Sequence, residues 1–286
     1  MKSNNPVFAR SEEFNRAGAN AYGNQTYPGG GTASPGYGDP ASWGTGTPTE
    51  TGAGSRMTID TVVQKTAISI LLVFVTAFAT WWWIGDMTSG NVVDEEALGR
   101  ASLLAMVGAG GAFLLSLVNS FKRVISPGLV IAFAAAEGVA LGAISKFFDA
   151  QFGEGIITQA VFGTFAAFAG TLAAYKFFDI KVGNKFRTFV VAGMFGMVGL
   201  GLLSLLLSFF GIQTGLFGFG ALGLMMSVVG LVLGVFMLIL DFDFVEQGVA
   251  AGLPEHESWR AAFGLTVSLV WIYTNLLRIL AIFQQD

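Results

Sequence analysis

Four acidic residues are the strongest candidates for chemistry in this sequence, because each lies in or beside a long apolar stretch. Glu137 sits near the middle of one such stretch, and Asp241, Asp243 and Glu246 follow another within six residues. An ionisable group is costly in hydrocarbon, so each acid is a candidate for binding or moving a cation or a proton.

Carboxylate oxygens are the ligands that calcium prefers, so Asp241 and Asp243 are candidate calcium ligands. Two residues apart on one helix, they do not share a face, whereas Asp243 and Glu246, three apart, do. The alternative for this cluster is a solvated helix end. A carboxylate at a helix C-terminus opposes the macrodipole, however, which disfavours a purely stabilising role. The alternative for Glu137 is a protonated acid that bonds a neighbouring helix.

The acids lie on apolar runs long enough to cross a membrane. A bilayer core about 30 Å thick needs roughly 20 apolar residues per helix, and seven runs approach or exceed that length. Their polarity does not alternate, which argues against the strands of a membrane barrel. We therefore expect an all-α polytopic membrane protein. The runs are roughly 66–84, 98–120, 127–148, 156–178, 187–210, 216–241 and 259–283.

Composition divides the chain into two parts. Overall, 53% of residues are hydrophobic and only 12% are charged, about half the charged share of a soluble domain. Residues 1–56 are instead rich in Gly, Pro, Ser and Thr and have no apolar period. We expect residues 1–56 to be a disordered cytoplasmic tail and residues 57–286 to form the membrane domain.

Basic residues predict the orientation of the helices. They occur in the tail and in the second and fourth connections, while the first connection is acidic and the fifth is uncharged. This alternation places the N-terminus inside and the C-terminus outside. The basic residues are Lys2, Arg10, Arg16, Arg56 and Lys65, then Lys122 and Arg123, then Lys176, Lys181, Lys185 and Arg187.

Several functions lack support from the residues. The chain has no cysteine and one histidine, His256, and no nucleophile–base set indicates an enzyme. We expect no cofactor, and without a large basic block we expect no nucleic-acid partner. The glycines of 218–223 match a dinucleotide fingerprint, but no βαβ pattern surrounds them, which favours helix packing. Arg100 and Arg278 lie in apolar runs, where each can snorkel or pair with a carboxylate, and we favour snorkelling.

The sixth and seventh runs resemble the Bax inhibitor family. The similarity lies in residues 240–249 (LDFDFVEQGV), in Gly252-Leu253-Pro254 and in residues 259–280. It extends over residues 57–286 and the opening Asn5-Pro6-Val7-Phe8, and is greatest to a bacterial YccA-like subgroup with a glycine-rich N-terminal extension.

This resemblance implies six helices around a central seventh and a pH-dependent leak of cations, notably calcium. It also implies an aspartate on the sixth helix that shares protons with another on the seventh. The first corresponds to Asp241 or Asp243. The second would fall near Ser268, in a run without an acid, so the chain departs from the family at this point.

Two hypotheses follow. The first is a calcium leak channel or transporter of the inner cell membrane, with Asp241, Asp243, Glu137 and Glu246 on its ion path or in its pH sensing. The expected partners are then membrane lipid and calcium or another cation. The alternative is a regulatory protein without transport that binds membrane proteases, as the resemblance also suggests. In that case binding should depend on the tail.

Overall fold

The structure is a computed structural model that describes residues 55–89, 92–153 and 155–285. The described residues belong to one compact unit. Of the predicted disordered tail, only Ser55 and Arg56 fall within the described part. The disorder predicted for the rest of the tail lies outside it.

Within the described residues, seven helices are long and apolar enough to cross a membrane, which confirms the predicted all-α polytopic fold. A short antiparallel pair of strands, β1 (Thr88–Ser89) and β2 (Val92–Val93), connects the first two helices. The helices are α1 (Ile59–Ile84), α2 (Glu95–Phe121), α3 (Pro127–Phe152), α4 (Ile156–Phe177), α5 (Asn184–Phe209), α6 (Ala221–Ala250) and α7 (Glu257–Phe283).

Two helix ends differ from the predicted runs. Thr58 caps α1 by accepting a 3.1 Å hydrogen bond from the Thr61 N–H, and Thr61 returns the interaction, so α1 begins well before residue 66. At the other difference, α6 does not end near Asp241 but continues to Ala250. Phe242 and Gly248 are buried in this extension. The predicted run ended too early, because packing prolongs the helix beyond its apolar stretch. The alternative of a solvated helix end does not hold for Asp243, which is buried in α6.

Helix α7 lies at the centre of the packing. It packs against α1, α3, α4 and α6, while α2 packs on α3 and α1, and α5 packs on α6. One buried cluster joins α7 to α3 through Tyr273 and Leu141, and a second joins it to α6 through Ile272 and Leu238. A residue on α6 can therefore act directly on α7.

Glycines bring α1 and α3 into close contact. A Cβ added at Gly138 would collide with the Val73 carbonyl oxygen, and one added at Gly142 would collide with the Ala77 carbonyl oxygen. Only a residue without a side chain allows the two backbones to approach this closely. These glycines, which both follow Glu137 on α3, serve helix packing.

Candidate functional site

Asp241 faces α7 from within α6. The Ser268 hydroxyl donates a hydrogen bond of 2.5 Å to Asp241 Oδ2. A Cβ added at Gly264, one turn earlier on α7, would lie 2.8 Å from Asp241 Oδ1, so the glycine leaves room for the carboxylate. Asp241 also borders a cavity of about 240 Å³ between α5 and α6 that apolar side chains otherwise line. One acid thus links α6, α7 and an open space.

Asp243 faces α5 instead. Arg187 Nη2 lies 3.0 Å from Asp243 Oδ2, and Gln247 Nε2 donates a 2.8 Å hydrogen bond to the same oxygen. The Asp243 side chain is only 9% exposed, so the arginine compensates a buried charge. Asp241 and Asp243 therefore point to different helices, as their spacing predicts.

Glu246 faces α4, a third helix that packs against α6. The Tyr175 hydroxyl, near the end of α4, donates a 2.6 Å hydrogen bond to Glu246 Oε2. Together with Arg187 and Asp243, this contact makes a polar cluster where α4, α5 and α6 meet. In the part of the chain that the structure describes, no three Asp, Glu, His or Cys side chains are grouped so that they could hold a metal.

Glu137 is half-buried on α3 and has no hydrogen-bond or ion-pair partner among the described residues. Two contacts between α3 and α7, one on each side of Glu137, show which part of α7 lies beside it. The rings of Phe133 and Phe263 are 4.9 Å apart, and further along Ser145 Oγ and the Tyr273 hydroxyl are 2.6 Å apart. Glu137 lies on α3 between these two contacts. It is therefore level with the stretch of α7 that contains Ser268. The structure records no hydrogen bond between Glu137 and Asp241.

A half-buried acid on α6 thus contacts a central α7. Residues 5–285 match the family described as Bax inhibitor 1 like. The chain belongs to this family. A comparison with curated proteins finds no match. Membership in the YccA-like subgroup stays a prediction.

The resemblance to the Bax inhibitor family implies an acid on the sixth helix that meets an acid on the seventh. Here Asp241, and not Asp243, contacts Ser268, the position near which the missing acid was expected. The serine hydroxyl can donate to the carboxylate but adds no second charge. The contact is therefore one acid with one hydroxyl, in place of two acids.

The sequence alone does not indicate a further charged pair, because Lys65 falls among the basic residues next to the tail. Lys65 is buried on α1, with its Nζ 2.7 Å from Glu255 Oε1 and 5.8 Å from the centre of the Trp259 ring. Hydrogen bonds from Lys65 and Ser55 hold the pKa of Glu255 below its usual value. The helical spacing of Val62, Lys65, Ser69 and Val73 indicates that Lys65 lies on the buried face of α1, but it does not indicate the partner of Lys65.

The same region anchors the chain just before α1. Met57 N–H donates to the Leu253 carbonyl at 2.7 Å, and Glu255 N–H donates to the Ser55 carbonyl at 2.7 Å. Residues 55–57, at the end of the predicted tail, thus pair with the loop between α6 and α7, which we call the α6–α7 loop.

The two arginines of the apolar runs have specific contacts. Arg100 forms an ion pair of 3.3 Å with Glu96 and donates to the Ile84 carbonyl at 3.2 Å, so it shows the pairing with a carboxylate that the sequence left open. Glu96 lies one turn earlier on α2 and is within its reach. The Arg278 guanidinium lies 5.3 Å from the centre of the Phe217 ring.

Proposed function

We propose that this protein lets cations, and calcium in particular, cross a membrane, and that Asp241 lies on their path. The observation that carries the proposal is the position of Asp241, hydrogen-bonded to Ser268 beside a cavity between α5 and α6. An acid retained in a membrane-spanning helix next to open space suits a cation path. The calcium leak implied by the Bax inhibitor family supports the same ion.

Asp243 and Glu246 have a different role in this proposal. Arg187 and Gln247 occupy Asp243 Oδ2, so a cation can use that oxygen only after Arg187 moves away. The Arg187–Asp243 pair then acts as a gate beside Asp241, and Glu246 lies near its entrance. Glu137 supplies a second acid at a similar level of α7. The membrane is the inner cell membrane, with the N-terminus cytoplasmic and the C-terminus outside.

Calcium entry into proteoliposomes that contain the purified protein tests the role of Asp241. We expect Asp241→Asn to lower the flux by about tenfold, because the path loses its charge. Asp243→Asn should raise the flux, since it releases Arg187. Asp60→Asn, an exposed acid in the first turn of α1, is the matched control. Unchanged flux in folded Asp241→Asn protein would contradict the site.

Restoring the missing family acid gives a sharper test. Ser268→Asp places a second carboxyl against Asp241, and a close carboxyl pair titrates as one coupled unit. We expect the variant to conduct calcium with a steeper dependence on pH between about 5 and 8 than the unmodified protein. Ser268→Asn, which adds an amide of similar size, should not gain this dependence. Equal profiles for the two variants would count against an Asp241 path.

The alternative is a regulatory protein that binds a membrane protease or another partner. It is favoured by the pairing of Ser55 and Met57 with the α6–α7 loop, because a partner that pulls on the tail would pull on that loop. Deleting the residues before Ser55 separates the hypotheses. A partner-binding protein loses capture of its partner, whereas a channel keeps its calcium flux.

A further inference from the structure

A larger cavity lies away from the four candidate acids. Its volume is about 430 Å³, and α1, α3, α4 and α7 line it. None of Glu137, Asp241, Asp243 and Glu246 is among its lining residues. This volume falls within the range of roughly 300–1,000 Å³ typical of small-ligand pockets.

The cavity opens sideways, toward the surface that faces lipid. Its inner wall contains buried Val73, Leu141 and Tyr273, whereas Phe74 and Phe78 on its rim are 43% and 67% exposed. Across the opening, the rings of Phe74 and Phe165 stack with their centres 6.2 Å apart, so aromatic side chains of α1 and α4 border the entrance.

The inner wall of the cavity is suited to an apolar ligand. Ser145 and Tyr273 satisfy each other in a hydrogen bond of 2.6 Å, and Thr164 donates to the Ala160 carbonyl at 2.7 Å. These three polar groups of the wall therefore already have partners within the protein. Asp149 also lines the cavity and has a polar contact of its own, and Thr158 is the remaining polar residue of the wall. Water has few groups to bind there, and an empty apolar space would lose the dispersion contacts of its lining.

One end of the cavity is suited to a polar head. Trp81, which lines the cavity, lies in the last turn of α1, and Lys146 Nζ is 4.5 Å from the centre of its ring. The Lys146 side chain is only 12% exposed and lies 3.9 Å from Asp86. Tryptophan is typical of the membrane–water interface, and a lysine at that level attracts phosphate.

We propose that this cavity binds one acyl chain of a membrane glycerophospholipid, with the phosphate of its head group beside Lys146. The chain enters beside the exposed Phe78 from the leaflet at the Trp81 end and runs along Leu141 toward Thr164. The lipid occupies a site separate from Asp241, so this inference does not rest on the proposed cation path.

Photolabelling of the full-length protein in liposomes tests the proposal. The probe is a phospholipid with a diazirine on its acyl chain, and the labelled peptides are identified by mass spectrometry. We expect the label to concentrate on the cavity-lining parts of α1 and α4. Thr158→Phe fills the cavity from an exposed position, and should lower this labelling by about tenfold because the space for the chain is lost.

Val75→Phe is the matched control, since Val75 is exposed on α1 and does not line the cavity. It should leave the labelling of α4 unchanged. A second filling variant, Val161→Phe, should repeat the effect of Thr158→Phe, and thermal unfolding verifies that each variant is folded. Label spread evenly over the lipid-facing helices and insensitive to both filling variants would mean ordinary bilayer contact only, and would overturn the proposal.

Discussion

The pair α1–α3 and the pair α5–α6 pack by different means. Between α1 and α3, Gly138 and Gly142 bring backbones together, and α3 buries residues along its length from Val130 to Phe148. Within α5, only Val190 and Met197 are buried, and the contact with α6 includes the Arg187–Asp243 ion pair and a cavity.

This difference indicates which pair of helices can move apart at the lower cost in free energy. Close backbone contacts have one good arrangement and resist sliding, because small shifts create collisions. A sparse contact that depends on an ion pair beside a cavity can separate at lower cost. The candidate path at Asp241 borders the sparse pair, and the lipid cavity borders α1 and α3. We therefore expect opening to occur between α5 and α6.

Substitution of Gly142 should have the largest effect on this comparison. Gly142→Leu forces α1 and α3 apart, because its side chain would collide with the Ala77 backbone. We expect a loss of about 3 kcal/mol in the free energy of unfolding in detergent. Gly110→Leu is the control, since a Cβ at Gly110 meets nothing within 4 Å. Equal stability of the two variants would show that α1 and α3 can separate readily.

Loss of the α5–α6 ion pair should have a smaller effect on stability. Arg187→Gln leaves Asp243 buried without its cation, but the Arg187 side chain is 37% exposed, which reduces the cost. We expect a loss of about 1–2 kcal/mol in the free energy of unfolding.

The double variant Arg187→Gln/Asp243→Asn should recover part of that loss, because no uncompensated charge remains. Lys185→Gln, which removes an exposed cation from the first turn of α5, should have little effect. If the double variant were as unstable as the sum of the two single variants, the pair would not be coupled.

The two regions also differ in how well the sequence predicted them. Apolar length was sufficient to predict all seven helices, since a membrane span needs little more than hydropathy. The small-residue pair Gly138 and Gly142 is also local to one helix, and small residues four apart are typical of close helix packing in membranes. For α1 and α6, by contrast, a cap and buried residues extended the helices beyond their apolar runs.

The candidate site could be predicted only in part. The sequence singled out Asp241 and Asp243 but could not choose between them, because the choice depends on which neighbour each side chain meets. The family resemblance indicated Ser268 only as the position near which an acid is missing. The contact between Lys65 and Glu255 joins residues far apart in the chain, and no spacing within one helix reveals its partner.

The Lys65–Glu255 contact joins α1 of the tightly packed side to the loop that follows α6. We expect its loss to have the smallest effect on stability. The pKa of Glu255 is lowered from 4.5 in the folded protein, first by its hydrogen bond with Lys65. A lowered folded pKa means that the stabilisation is complete above the unfolded pKa, and is lost as the pH falls through the folded pKa.

We therefore expect the Tm difference between the unmodified protein and Glu255→Gln to be constant near neutral pH and to shrink below about pH 4.5. Lys65→Gln removes the cause of the shift, so the Tm of that variant should fall less over the same acid range. Thermal unfolding at a series of pH values measures all three proteins. Parallel curves down to about pH 3 would mean that the contact does not stabilise the α6–α7 loop. The tightly packed and sparse sides would then be less strongly joined than the contact distances imply.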